Sequence, residues 1–346
     1  DMKLGGARTR RHVVQIHGAS AGDLSGYAVS GAGDVDGDGI PDILIGAPGA
    51  SPYNRTHAGI VYVVHGSRFT ANPKRDFNLA DLDKDSGFRI LGLVGSRLGT
   101  SAARAGDINA DGTDDVIVSV CENASVAAVY VIYGHVGGTS TVDLSSFSAD
   151  QGFKITIPAA SDHQSDACTG SVSAAGDVNG DGIADVIIGG FRTKSAWVVF
   201  GGSGVDVNVG TMEKISGFEM YASVGGRVGY SVSTAGDFNG DGFADVIIGA
   251  PAGAGADSSP AAYIMFGKSG HFRRRLDLDS MTMRRGVKLL APGRQSTLLG
   301  YSVSAAGDVN SDGCEDVVVA APVPEAGSRV GLAFVVYGRK NNKLRN

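Results

Sequence analysis

An all-β fold is what this sequence predicts, and three observations carry the prediction. Glycine fills 53 of 346 positions, about twice the usual share, and no collagen-like period accompanies it. The acidic residues are 31 Asp against 5 Glu, and Asp gathers with Gly in turns and metal loops where helices favour Glu. Above all, the string GYAVSGAGDVDGDGIPDILIGAP from Gly26 to Pro48 returns from Gly99, Gly170, Gly229 and Gly300. Its first loop aspartates, Asp34, Asp107, Asp177, Asp237 and Asp308, stand 73, 70, 60 and 71 residues apart. A repeat of that length marks stacked supersecondary units.

Each unit reads as four strands. A small-residue inner strand precedes the Asp-rich loop, and a second strand runs from that loop to GAP. The third is the aromatic and β-branched run GIVYVVHG, AAVYVIYG, SAWVVFG, AAYIMFG or GLAFVVYG. Such residues bounded by Gly and Asp form strands. From inner to third strand the units cover 26–66, 99–134, 170–201, 229–267 and 300–338, with outer strands at 87–92, 152–157, 217–222 and 286–291. Four antiparallel strands per unit make a propeller blade. The fifth unit stops at Tyr337-Gly338 without an outer strand, while HVVQIHG at 12–18 aligns with the outer strands of the others. The prediction is a single β-propeller over 1–346, of five four-stranded blades, with the N-terminal strand completing blade five. A row of separate hairpin modules is the alternative.

The chemistry sits in the turn between the first two strands. Positions 1, 3, 5, 7 and 9 of the first loop are Asp34, Asp36, Asp38, Ile40 and Asp42. The second has Asp107, Asn109, Asp111, Thr113 and Asp115; the third, Asp177, Asn179, Asp181, Ile183 and Asp185. The fourth has Asp237, Asn239, Asp241, Phe243 and Asp245; the fifth, Asp308, Asn310, Asp312, Cys314 and Asp316. Position 6 is always Gly, at the sharp turn where positive φ is needed. Carboxylates this crowded repel one another unless a cation sits among them. Hard oxygen ligands, with a backbone carbonyl at position 7, suit Ca²⁺ better than Mg²⁺, so up to five Ca²⁺ are expected, one per unit. An EF-hand needs a Glu at position 12 and flanking helices. Here position 12 is Ile45, Val118, Ile188, Ile248 or Val319, inside an apolar strand, and that reading fails.

The GY, GDxNGDGxxD and GAP elements together resemble the FG-GAP repeat of integrin α-subunit propellers and related secreted bacterial proteins. The resemblance covers nearly the whole chain. It implies a calcium-stabilised propeller with an outer strand borrowed from the N-terminus, calcium loops on one face and partner recognition on the other. The sequence departs from integrins in blade number, five against seven. Units two, three and five also replace GAP by SVC, GGF and AAP, so the resemblance does not extend to the integrins' own partners.

The expected function is accordingly non-catalytic: an adhesion or assembly module that binds a protein or glycan, in an extracellular, cell-surface or calcium-rich lumenal setting. Its contact surface is expected on the loops opposite the metal, including Pro52-Tyr53-Asn54-Arg55, Glu122-Asn123, Asp162-His163-Gln164, Arg227, Arg294-Gln295 and Pro324-Glu325. A structural subunit without its own ligand and a five-bladed glycosidase-like enzyme are the alternatives. Against the enzyme, the inner strands offer no carboxylate pair and no nucleophile or metalloprotease motif occurs. A formal charge of −6 argues against nucleic acid as partner, and no apolar run is long enough to span a bilayer. Arg273 to Arg275 with Arg284-Arg285 suggests an anionic partner or a solvated edge. Cys121 and Cys168 belong to neighbouring units at the same end and are expected to form a disulfide, leaving Cys314 free. Asn54 and Asn123 head glycosylation sequons.

Overall fold

The computed structural model describes residues 13–71, 76–123, 126–134, 141–157, 170–190, 193–222, 226–251, 259–290, 298–322 and 331–340. Within them strands are the dominant regular structure, beside one short α-helix and three single 3-10 turns. The five units appear in sequence order, each as an antiparallel inner, second and third strand. In unit one these are Val29–Gly33, Asp42–Ala47 and Ile60–Val64. In unit five they are Ser302–Gly307, Asp316–Ala321 and Leu332–Val336. Outer strands Gly87–Leu91, Gly152–Ile157, Gly217–Tyr221 and Gly286–Leu290 pair with the third strands of units one to four.

Every inner strand slips register just before its loop, between Gly31 and Gly33 in unit one and at the matching place in the other four. The bulge residue is a glycine at positive φ, 82° at Gly33. A β-carbon there would strike the Asp114 carboxylate of the next unit, so the position needs glycine for conformation and for space. The GAP glycine has a different reason: a β-carbon on Gly46 would meet the backbone of Gly99, where unit two begins.

The cores lie between consecutive sheets. Val61, Val63 and Ile90 of unit one pack with Val116, Val118 and Tyr130 of unit two. Ile187 and Val198 of unit three face Val246 and Ile248 of unit four, while the neighbouring Ile188 and Trp197 face back to unit two. Alternate residues of one strand therefore serve two different cores. This explains why runs such as DVIIGG are apolar throughout, as in sheets covered on both faces.

A short strand absent from the sequence prediction links the units. Thr141–Asp143 runs parallel to the outer strand of unit one, Val207–Asn208 to that of unit two, and Arg275–Asp277 to that of unit three. These segments are only two or three residues long and carry no alternation of their own.

Strand Ile16–His17 pairs in the same parallel manner with Phe77–Asn78. The N-terminal segment thus takes the outer-strand place beside unit one, as its alignment with the other outer strands implies. The expected pairing of 12–18 with the third strand of unit five is not seen among the described residues, where Leu332–Val336 is the last strand of a three-stranded sheet. The outward face of that sheet is open. Val335 is 49% exposed, whereas Ile264, its counterpart in unit four, is 0% exposed. Val29 on the opposite face of unit one is 71% exposed, against 5–7% for Val172, Val232 and Val303.

Candidate metal loops

The five Asp-rich loops stand side by side because each is tied to the next. The Asp114 N–H donates to the Asp34 carbonyl, Ala184 to Asp107, Ala244 to Asp177 and Glu315 to Asp237, at 2.9–3.3 Å. In the first loop position 8 is Pro41, which has no N–H to give.

Within each loop the backbone wraps the first aspartate. The position 6 glycine N–H donates to its Oδ2 in all five copies, at 2.8–3.0 Å. The position 7 N–H donates to Oδ1 of the position 5 aspartate. These bonds fix which way the carboxylates point before any ion arrives.

Position 9 does more than its spacing suggested. Asp42, Asp115, Asp185, Asp245 and Asp316 are all buried. In each, one carboxylate oxygen accepts from a backbone N–H of the loop and the other from the glycine that ends the third strand, as with Val35 and Gly66 around Asp42. The same residue therefore bolts the loop to the sheet. Burial pushes the carboxyl up to about 6 in Asp42, about 7 in Asp115 and Asp185, and about 8 in Asp245, against the pull of those N–H donors. A cation beside the group favours the ionised form.

Loop one is the strongest candidate. Oxygens of Asp34, Asp36 and Asp42 lie within 4.8 Å of one another. In loops two to five, Oδ1 of the first aspartate accepts from the position 5 N–H. In loop one that N–H turns to Asp36 instead, leaving Asp34 Oδ1 buried and without a hydrogen-bond partner. A buried carboxylate oxygen with nothing to bind is costly, and a divalent cation satisfies it, so these residues fit the ion. In loop four the buried Asn239 side chain likewise has no partner for either of its polar atoms. The Asn109, Asn179 and Asn310 amides of the other loops donate to the position 5 aspartate.

His65 was not singled out by the sequence, because its counterparts Tyr133, Phe200, Phe266 and Tyr337 are aromatic. It is buried, with Nδ1 3.1 Å from Asp36 Oδ2. Cys314 is free and buried, and burial raises its thiol pKa.

A family model described as the FG-GAP repeat matches residues 25–64, 228–265 and 299–330, which fall in units one, four and five. The chain carries FG-GAP repeats. It is 30% identical over 243 residues to integrin alpha pat-2 of Caenorhabditis briggsae, a stretch covering 66% of this chain and 18% of that protein. With integrin alpha-4 of Xenopus laevis it shares 33% identity over 186 residues, 53% of this chain and 16% of the relative. With phosphatidylinositol-glycan-specific phospholipase D of Bos taurus it shares 34% over 170 residues, 47% of this chain and 18% of the relative. The FG-GAP chain is thus distantly homologous to both kinds of protein and spans under a fifth of the length of each.

Among the loops expected to meet a partner, Pro52–Asn54 forms a single 3-10 turn with Tyr53 exposed, and Tyr53, Asn54 and His57 all have positive φ. Arg55 is half-buried rather than available, with its guanidinium bidentate to Asp143 at 2.7 Å. Arg227 donates its backbone N–H to the Pro251 carbonyl. Glu122 and Asn123 end the second strand of unit two. Asp162-His163-Gln164, Arg294-Gln295, Pro324-Glu325 and Cys168 lie outside the described residues, and so does the Cys121–Cys168 bond. No helix among the described residues is long and apolar enough to cross a membrane.

Proposed function

We propose that the five sheets are consecutive blades of one β-propeller and that the loops bind Ca²⁺, up to one per blade. On this reading the chain is a non-catalytic adhesion or assembly module working where calcium is abundant, outside the cell, on its surface or in a calcium-rich lumen. Parallel linking strands, inter-sheet cores and the row of tied loops support the blade arrangement. The unpartnered Asp34 oxygen supports the ion, and an all-oxygen donor set selects calcium over softer metals.

The observation that carries the binding role is a set of exposed tyrosines at the ends of the sheets away from the metal. Tyr27 and Tyr301 open inner strands, and Tyr53 caps a turn after a second strand; all three are exposed. Tyrosine offers a large amphipathic contact at low entropic cost and is enriched where proteins recognise partners. The ligand is a protein or a glycan. A glycan array and a pull-down from the source organism, run with wild type and with Tyr27→Ala/Tyr53→Ala, test the assignment. Capture lost in the variant and retained in calcium is the expected result, and capture indifferent to both tyrosines refutes the face.

A further inference from the structure

Unit four carries five arginines near its outer strand, and the structure separates them into two kinds. Arg274 donates to the Gly210 carbonyl at 2.8 Å, and Arg275 pairs with Glu219 at 2.7 Å while lying over the Tyr221 ring. Both hold unit four to unit three. The guanidinium groups of Arg273, Arg284 and Arg285 have no hydrogen-bond or ion-pair partner among the described residues, although the Arg285 backbone bonds Thr282 and Phe266. All three line one hollow of about 490 Å³ beside metal loop four.

That hollow recurs, and its charge does not. In unit two the corresponding space, about 280 Å³, is lined by Asp150 and Gln151 just before the outer strand. The same two positions are Asp85-Ser86 in unit one, Ile215-Ser216 in unit three and Arg284-Arg285 in unit four. Were the arginines merely a solvated edge, they would have no reason to surround a cavity. Its base is apolar, with Met265, Phe272 and Leu278 all buried. Its acids, Asp241 and Asp277, are engaged by the Phe243 and Asp279 N–H groups.

We infer that this hollow binds a sulfate or phosphate monoester of a sugar, with Arg273, Arg284 and Arg285 holding the ester oxygens. Planar guanidinium groups pair bidentately with tetrahedral oxyanions. The volume is that of a small-molecule site rather than a bare ion, and the apolar base accepts a carbon skeleton. The site lies on the metal-loop side and is independent of the tyrosine face proposed above.

Calorimetry in calcium buffer with a trisulfated heparin disaccharide, glucose 6-phosphate and sodium sulfate tests it, with anionic vesicles as a fourth probe. Single-site binding of at least one ester, tighter than sulfate, is expected. Arg284→Asp/Arg285→Gln installs the residues unit two already carries at these positions, so the fold should tolerate it. It should weaken ester binding by about tenfold or more. Lys194→Gln/Lys214→Asp makes the same change of net charge in unit three and should leave binding unchanged. Arg273→Ala, which leaves that turn intact, should weaken it too. The inference is overturned if no ester saturates, if the control variant loses as much affinity, or if only vesicles bind.

Discussion

Asp114 holds Asp34 from two sides: its N–H donates to the Asp34 carbonyl at 2.9 Å, and its Oδ2 accepts from the Asp34 N–H at 2.8 Å. Loop one is thereby positioned by a side chain of the next unit, which Arg104 steadies from behind through Asp114 Oδ1 at 2.7 Å. Two of the other three joints have Ala184 and Ala244 at the matching position and keep only the backbone half of this clasp, while the last has Glu315, whose N–H makes the same backbone bond to Asp237. Asp114→Ala should therefore cost about 1.5–3 kcal/mol of stability, the value of a lost hydrogen bond to a charged group. It should also weaken calcium binding at loop one. Urea unfolding with a calcium titration checks both.

Chelation should lower the melting temperature substantially, because ligand binding to the native state adds to stability. Affinities of roughly 10⁻⁵ to 10⁻³ M are expected for such loops, with loop one tightest. Asp34→Asn should remove the tightest step of the titration and leave the others. A melting temperature indifferent to EDTA would sink the structural role of the metal.

The Arg55–Asp143 pair joins unit one to the linking strand of unit two. The Arg55 hydrogen bonds hold the Asp143 carboxyl down at about 2. A lowered folded-state pKa stabilises fully above the unfolded value, near 3.8, and the contribution fades as pH falls toward 2. Wild type should lose up to about 2 kcal/mol more than Asp143→Asn between pH 5 and pH 2. Parallel acid-unfolding curves for the two proteins would refute this.

Ile264 and Val335 occupy the same repeat position with opposite burial. Ile264→Ala empties a packed joint and should cost about 2–4 kcal/mol. Val335→Ala, on the open face of the last sheet, should cost less than about 0.5 kcal/mol. Equal losses in denaturant unfolding would show that the last face is covered in solution.

The Asp-rich loops and the candidate ion site of the first were legible because everything that makes them is local: nine residues, five copies and a fixed spacing. The strand pattern was legible for the same reason. What escaped was whatever one unit does for the next. Gly33 leaves room for the Asp114 side chain, which is distant along the chain and adjacent in space. Asp42 and its counterparts were read as ligands, and their second task as bolts emerged only when Gly66 and its equivalents came within reach. His65 escaped because a repeat comparison discards what occurs once. The linking strands of two or three residues were too short to show any period, and the pairing of 12–18 depends on which sheet lies beside it.

Every joint is made from a position 8 N–H and two apolar faces, and three of the four add a pair of glycines in close contact. The chain is therefore divisible. If the stretch from Gly99 to just before Gly170 were excised, Ala184 would stand where Asp114 now stands and could offer its N–H to Asp34, as it now does to Asp107. Stability in such arrays is a sum over units and nearest-neighbour joints. Gene duplication could lengthen a chain of this kind by whole units without inventing a new contact.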